Sequence, residues 1–235
     1  MGLTVHYKLR LASATARQAH ALIKRLHRRA LALPLEGVGP IATYSARDGH
    51  GISAAPTWLG EEIECQAREE GGRLVVPQRA IGFWVLPGPG SEPGRFGLLQ
   101  YPWAIARPGG GRTPTRMSGW WWQGFCKTQY ASNRRYGGFE NFRRCHLSLI
   151  ALLDEAAEIG LKTEVADESG FATGRDLRHL ASEVALWNEL IAGLAGRLKD
   201  ALPCEFSAPI RRFPDFEHLE ARGRDATRSG AATSD

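Results

Sequence analysis

The sequence predicts an α+β domain, a mostly antiparallel sheet with three main helices packed on one face. Residues 3–11 alternate apolar and polar side chains, the period of a half-buried strand. Three longer stretches repeat apolar residues every three to four positions, the period of amphipathic helices. Between the first two of them lie short β-rich runs split by Gly and Pro. The order is therefore β-α-β, several antiparallel strands, β-α-β, α, which suits helices laid against one face of an antiparallel sheet. A ferredoxin-like plan with a β-hairpin insertion is one way to connect it. Residues 1–206 read as a single α+β domain, and 207–235 as an extended arm and a disordered C-terminal tail.

In the first strand Leu3, Val5, Tyr7, Leu9 and Leu11 point one way, and Thr4, His6, Lys8 and Arg10 the other. The helix at 15–33 opens on Thr15 and Gln18, the spacing of a capping box. Ala19, Leu22, Ile23, Leu26, Ala30 and Leu33 form its apolar stripe, with Arg17, Lys24, Arg25, Arg28 and Arg29 opposite; Pro34 and Gly37 end it. A second strand is expected at 38–45 and a loop at 46–57. From 58 to 103 the signal reads as β, in the runs TWLGEEIECQAR, RLVVPQ, AIGFWVL and RFGLLQYPW. Residues 87–94 (PGPGSEPG) are the turn of a hairpin. Residues 106–118 read as a long flexible connector.

Strand 119–130 (GWWWQGFCKTQY) precedes a helix at 139–159 that carries Phe142, Cys145, Leu149, Leu153, Ala156 and Ile159 on one side. A short strand at 161–166 and a loop at 167–173 follow. The last helix, 176–200, has the stripe Leu177, Leu180, Val184, Trp187, Ile191, Leu194 and Leu198, and Pro203 closes it.

Composition excludes several classes. A chain of 235 residues with 43% hydrophobic and 23% charged residues can bury a core without disulfides or a metal. The net charge is +5. Only five of the 30 basic residues are lysine (8, 24, 127, 162 and 199), an arginine bias that reads as codon usage, so the basicity is discounted as a sign of nucleic-acid binding. Cys65, Cys126, Cys145 and Cys204 form no CxxC pair and read as reduced thiols in a cytoplasmic protein. The N-terminus carries charges where a signal peptide needs an apolar run, and no apolar stretch approaches ~18 residues, so no membrane segment is expected.

Familiar catalytic motifs are missing: no Walker A, no GxGxxG after a strand, no HExxH and no GxSxG. Residues 109–115 (GGGRTPT) lack the Lys and the following helix of a phosphate loop, and no cofactor is expected. The histidines have no zinc spacing. Cys145 and His146 point about 100° apart on their helix, and Asp48 with His50 offers only two ligands, so no metal site is expected.

The stretch 119–168 carries the functional expectation. If its two strands share a sheet they run parallel, and their carboxyl ends meet one edge. The first strand delivers Lys127 there, followed by Arg134 and Arg135, and the second delivers Asp167 and Glu168. The intervening helix starts at that edge after Gly137 and Gly138, with its free N–H groups turned to an anion. Lys127, Arg134, Gly137, Gly138 and Asp167 are therefore the candidate pocket for a small anionic ligand, phosphate- or carboxylate-bearing. Asp167 and Glu168 are candidate acid–base groups. His146 falls inside the apolar arc of its helix and needs a buried partner; with Cys126 it is also a candidate base and nucleophile.

Six of the seven tryptophans lie between 58 and 122. Three consecutive tryptophans on a strand must face both sides, so Trp121 leaves the core face to cover a helix, an interface or a ligand. Two further readings stand beside the anion pocket. One is a nucleic-acid-associated protein using Arg17, Lys24 and Arg28 of the first helix, and the other is a protein-interaction module.

Overall fold

Fold layers follow from the alternation of the first strand. The computed structural model describes residues 3–46, 51–70, 72–106, 110–202 and 207–231. Asp48, His50 and Cys204, residues 107–109 of the expected connector and the last four residues of the expected tail lie outside the described residues. In chain order the elements are β1 (Thr4–Leu11), α1 (Ala16–Ala32), β2 (Gly37–Val38), β3 (Ala42–Ser45), α2 (Thr57–Cys65), β4 (Arg68–Glu70), β5 (Arg73–Val75), β6 (Arg79–Leu86) and β7 (Gly94–Gln100). There follow β8 (Ala104–Ala106), β9 (Arg112–Pro114), β10 (Trp120–Lys127), α3 (Gly138–Glu158), β11 (Lys162–Asp167), a single helical turn α4 (Phe171–Gly174), α5 (Leu177–Ala201) and α6 (Phe216–Ala231).

The main sheet has the order β11-β1-β10-β7-β6, with β2 and β3 both paired to β6. Its described pairings are antiparallel. The chain is thus an α+β protein with a mostly antiparallel sheet. Among the described residues seven strands make up this sheet, three more than the four of a bare ferredoxin-like β-α-β-β-α-β plan. β1 is antiparallel to both neighbours, so β10 and β11 run parallel with β1 between them rather than side by side. One face of these three strands buries Val5, Tyr7, Leu9, Trp122 and Cys126 against the helices. The capping box forms as the sequence predicts: Gln18 N–H donates to Thr15 Oγ1 at 3.2 Å and Thr15 N–H to Gln18 Oε1 at 2.8 Å. Leu26, Ile23 and Ala30 of α1 join Leu149 and Leu153 of α3 in the core.

Four segments differ from the sequence reading. The run from 57 to 65 is a helix, because Leu59 and Ile63, four apart, are both buried while Glu61 and Glu62 reach Arg95 on the other side. The expected strand 38–45 is two short strands, separated at Pro40, which has no N–H to pair. Inside the expected connector, β8 and β9 pair as a small hairpin.

The expected disordered tail is the fourth. α6 lies along α5, with Phe216 and Leu219 joined to Ile191, Ala195, Ile210 and Phe213 in a second apolar cluster. Residues 220–231 carry no large apolar side chain, and there the two helices approach backbone to backbone: a Cβ on Gly193 would lie 2.8 Å from the carbonyl carbon of Gly223. Arg222 pairs with Glu189, and Arg224 with Asp200 and Glu220. The third long helix therefore packs mainly on α6 and the 3₁₀ turn at 209–212 rather than on the sheet.

A Cβ at Gly223 would fall on the Glu189 carbonyl oxygen. Gly223→Val is expected to destabilise the protein by roughly 1–3 kcal/mol through overpacking, and to speed limited proteolysis within 207–231. Denaturant titration checks the first effect and cleavage mapping the second; a variant as stable and as resistant as the parent would mean the helices do not meet there.

Candidate functional site

Both parallel strands end at the same level of β1, with Lys127 beside Thr4 and Asp167 beside Val5. Parity then separates them. Lys127 shares the outward face of Phe125, whereas Asp167 shares the inward face of Val165, so their side chains leave the sheet on opposite sides. The Asp167 side chain is only 1% exposed. It accepts from His146 Nε2 at 3.2 Å, from the Ser169 hydroxyl at 2.8 Å and from the N–H of Ala172 at 2.9 Å. The other ring nitrogen of His146 lies 3.0 Å from the Thr128 hydroxyl.

A hydroxyl, an imidazole and a carboxylate in line have the order of an acyl-transfer triad. Here Thr128 and His146 are fully buried, and none of the three hollows described below reaches any of the three residues. The array instead pins the end of β10, the third turn of α3 and the end of β11 to one another. Next to it Gln129 accepts from the Leu3 N–H at 2.7 Å and donates to Asn188 at 3.0 Å, which ties α5 to the same end of the sheet. Burial alone would raise the pKa of Asp167. The hydrogen bond and charge of His146, with the Ala172 N–H and the Ser169 hydroxyl, outweigh it and bring the carboxyl down to about 2.

The remaining candidates disperse. Arg134 is exposed and pairs with Asp215 at 3.3 Å. Gly137 and Gly138 adopt positive φ, +105° and +64°, and turn the chain into α3. Glu168 accepts from the Thr4 N–H at 2.8 Å and caps the start of β1 on its outer side. No hydrogen bond joins Cys126 to His146: the Cys126 thiol donates to the Glu92 carbonyl at 3.0 Å, and burial pushes its pKa well up, with Glu92 and Cys145 adding to it. Arg17, Lys24 and Arg28 are exposed on α1. Among the described residues no cluster of three metal-ligating side chains occurs, and no helix is long and apolar enough to cross a membrane.

The sheet's outer face is where side chains converge without being covered. Register places Ala166, His6 and Phe125 in one row, Glu164, Lys8 and Gln123 in the next, and Lys162, Arg10 and Trp121 in the third. Phe125 is 57% exposed, and its ring centroid lies 6.1 Å from that of His6. The C-terminal end of α2 and strand β4 rise beside β10 and enclose a groove of about 730 Å³. Its walls carry Gln66, Arg68, Glu69, Glu92 and Arg95. Arg95 is held by Glu62 at 3.0 Å and Glu61 at 2.9 Å. Gln66 accepts from the Gln123 N–H at 2.9 Å and so fixes the wall to the floor. At the far row the guanidinium of Arg10 lies 4.1 Å from the Trp121 ring centroid, and that of Arg68 lies 5.7 Å from it. A smaller hollow of about 150 Å³ shares His6 and Gln123 and extends to Glu164. The alternation of both strands is visible in the sequence; their register, which sets His6 beside Phe125, is not.

Comparison with protein-family models, with curated proteins and with solved structures finds no match to this chain.

Asp167 yields a prediction in acid. Its folded pKa lies below the ordinary 3.8, so its stabilisation is complete above that value and is lost as the pH falls through about 2. Asp167→Asn is expected to be less stable at neutral pH and to lose less further stability over that interval than the parent. Urea titrations across the interval check it; parallel acid slopes would show that the carboxyl is not held low.

Proposed function

We propose that the protein binds a small molecule with a flat heteroaromatic ring in the groove on the outer face of its sheet. The observation that carries this reading is Phe125, a large aromatic side chain left 57% exposed on the floor of a hollow of about 730 Å³. Hollows of roughly 300–1,000 Å³ with an apolar floor and a few fixed polar groups are the usual form of small-molecule sites. A ring stacked on Phe125 and His6 would find hydrogen-bonding groups on the walls: the Gln123 and Gln66 amides and the Glu92 and Glu69 carboxylates.

The same walls argue against a nucleic-acid strand in this groove. Glu62, Glu69 and Glu92 face it, Arg95 is already neutralised by Glu61 and Glu62, and a phosphate backbone needs uncompensated positive charge. The exposed arginines of α1 do not extend the surface, because α1 joins the core from the other side of the sheet.

The four common nucleosides are the first probes, titrated calorimetrically. One-site binding of at least one is expected. Base–aromatic stacking is worth ~1–3 kcal/mol, so Phe125→Ala should weaken binding by roughly fivefold to a hundredfold without changing the melting temperature of the free protein by more than a few degrees. Absence of binding by all four, or an affinity untouched in Phe125→Ala, would remove the reading.

A further inference from the structure

A third hollow, of about 220 Å³, lies on the other side of the turn that joins β6 to β7. It is bounded by the two 3₁₀ turns at 129–132 and 134–136 and by the 3₁₀ turn at 209–212. Arg135 and Arg212 line it, with Glu92, Tyr130, Tyr136 and Phe213. Charge pairing sets this cleft apart. Neighbouring arginines are committed: Arg134 to Asp215 and Arg143 to Glu140, while Arg144 donates to the carbonyls of Pro34 and Pro87. Arg135 instead donates to the Tyr136 hydroxyl and lies 4.4 Å from the centre of that ring. Among the described residues no carboxylate pairs with Arg135 or Arg212, and no cation pairs with Glu92. Two positive charges and one negative charge therefore border one small cavity without neutralising each other.

A simple anion would meet both guanidiniums but also the Glu92 carboxylate. A simple cation would meet Glu92 and two like charges. A molecule that carries both signs close together satisfies all three groups, and charge-assisted bonds to a carboxylate are among the strongest a guanidinium makes. Tyr130 and Phe213 supply an apolar wall. Burial, with Glu92 adding to it, keeps the Tyr130 hydroxyl protonated and able to donate. The volume has room for one small molecule and falls short of the roughly 300–1,000 Å³ of larger ligand sites.

We propose that this cleft binds a free α-amino acid with an apolar side chain: its carboxylate between Arg135 and Arg212, its ammonium on Glu92, and its side chain against Tyr130 and Phe213. The inference does not rest on the sheet-face groove. Isothermal titration of the full chain with L-phenylalanine tests it, with 3-phenylpropanoate (no ammonium) and phenethylamine (no carboxylate) as the other arms. L-Phenylalanine is expected to bind at one site and more tightly than either analogue. Arg135→Gln and Arg212→Gln should each weaken it by roughly tenfold or more. Glu92→Gln should weaken L-phenylalanine and strengthen 3-phenylpropanoate. Both arginines are exposed, so their variants should keep the parent melting temperature. Phe125→Ala should leave the titration unchanged, which separates this site from the groove. No heat of binding at about 10 mM L-phenylalanine would overturn the proposal. So would 3-phenylpropanoate or phenethylamine binding as tightly as the amino acid, or an affinity indifferent to Glu92→Gln.

Discussion

β1 lies between β10 and β11, so both its edges are occupied, and its alternation decides what each side of the sheet can be. Val5, Tyr7 and Leu9 take the inner side and meet the apolar stripes of α1 and α3. His6, Lys8 and Arg10 take the outer side, where no long helix covers them. A one-residue slip in the pairing of β1 would exchange the two sets and lose the core. The same parity buries Asp167 and leaves Phe125 in the open, although their strands run the same way and end at the same level.

Polar groups at the end of the sheet then have to be satisfied inside the protein. Thr128, His146, Asp167 and Ser169 do this together, and Gln129 with Asn188 and Ser132 continues the network into α5. Buried polar groups of this kind rigidify a fold when every member is paired, and are costly when one is not. The arrangement explains how a catalytic-looking trio can be structural: its hydroxyl and ring have no route to solvent, and its carboxyl serves to hold three chain segments.

Local sequence carried the long periodic elements well. The capping box of α1, the alternation of β1 and the apolar stripe of α3 each depend on residues within one segment. The helix at 57–65 reads as β in the sequence because of its β-like surroundings, and the four-residue spacing of Leu59 and Ile63 is too short a stripe to outweigh them. α6 is not legible, because beyond Phe216 and Leu219 it is held by a Gly193–Gly223 backbone approach and by ion pairs rather than by a continued apolar stripe. The place of His146 inside the apolar arc of its helix implies a buried partner. The partner, Asp167, was legible in principle from its parity with Val165, yet its position at a strand end suggested solvent. His6 and Phe125 escaped because the register between two strands more than a hundred residues apart has no local signal. Arg135 and Arg212 escaped for a similar reason: the chain beyond 207 had to fold back before they could face one hollow.

Glu92 borders both the sheet-face groove and the cleft lined by Arg135 and Arg212, on the two sides of a single turn. A positive group held against it from one side reduces the negative field felt on the other. Any free energy that this exchange contributes is shared equally, since what one occupant does to the affinity of the second, the second must do to the first. One carboxylate thus makes the two faces of the turn thermodynamic neighbours, even though no single molecule need touch both.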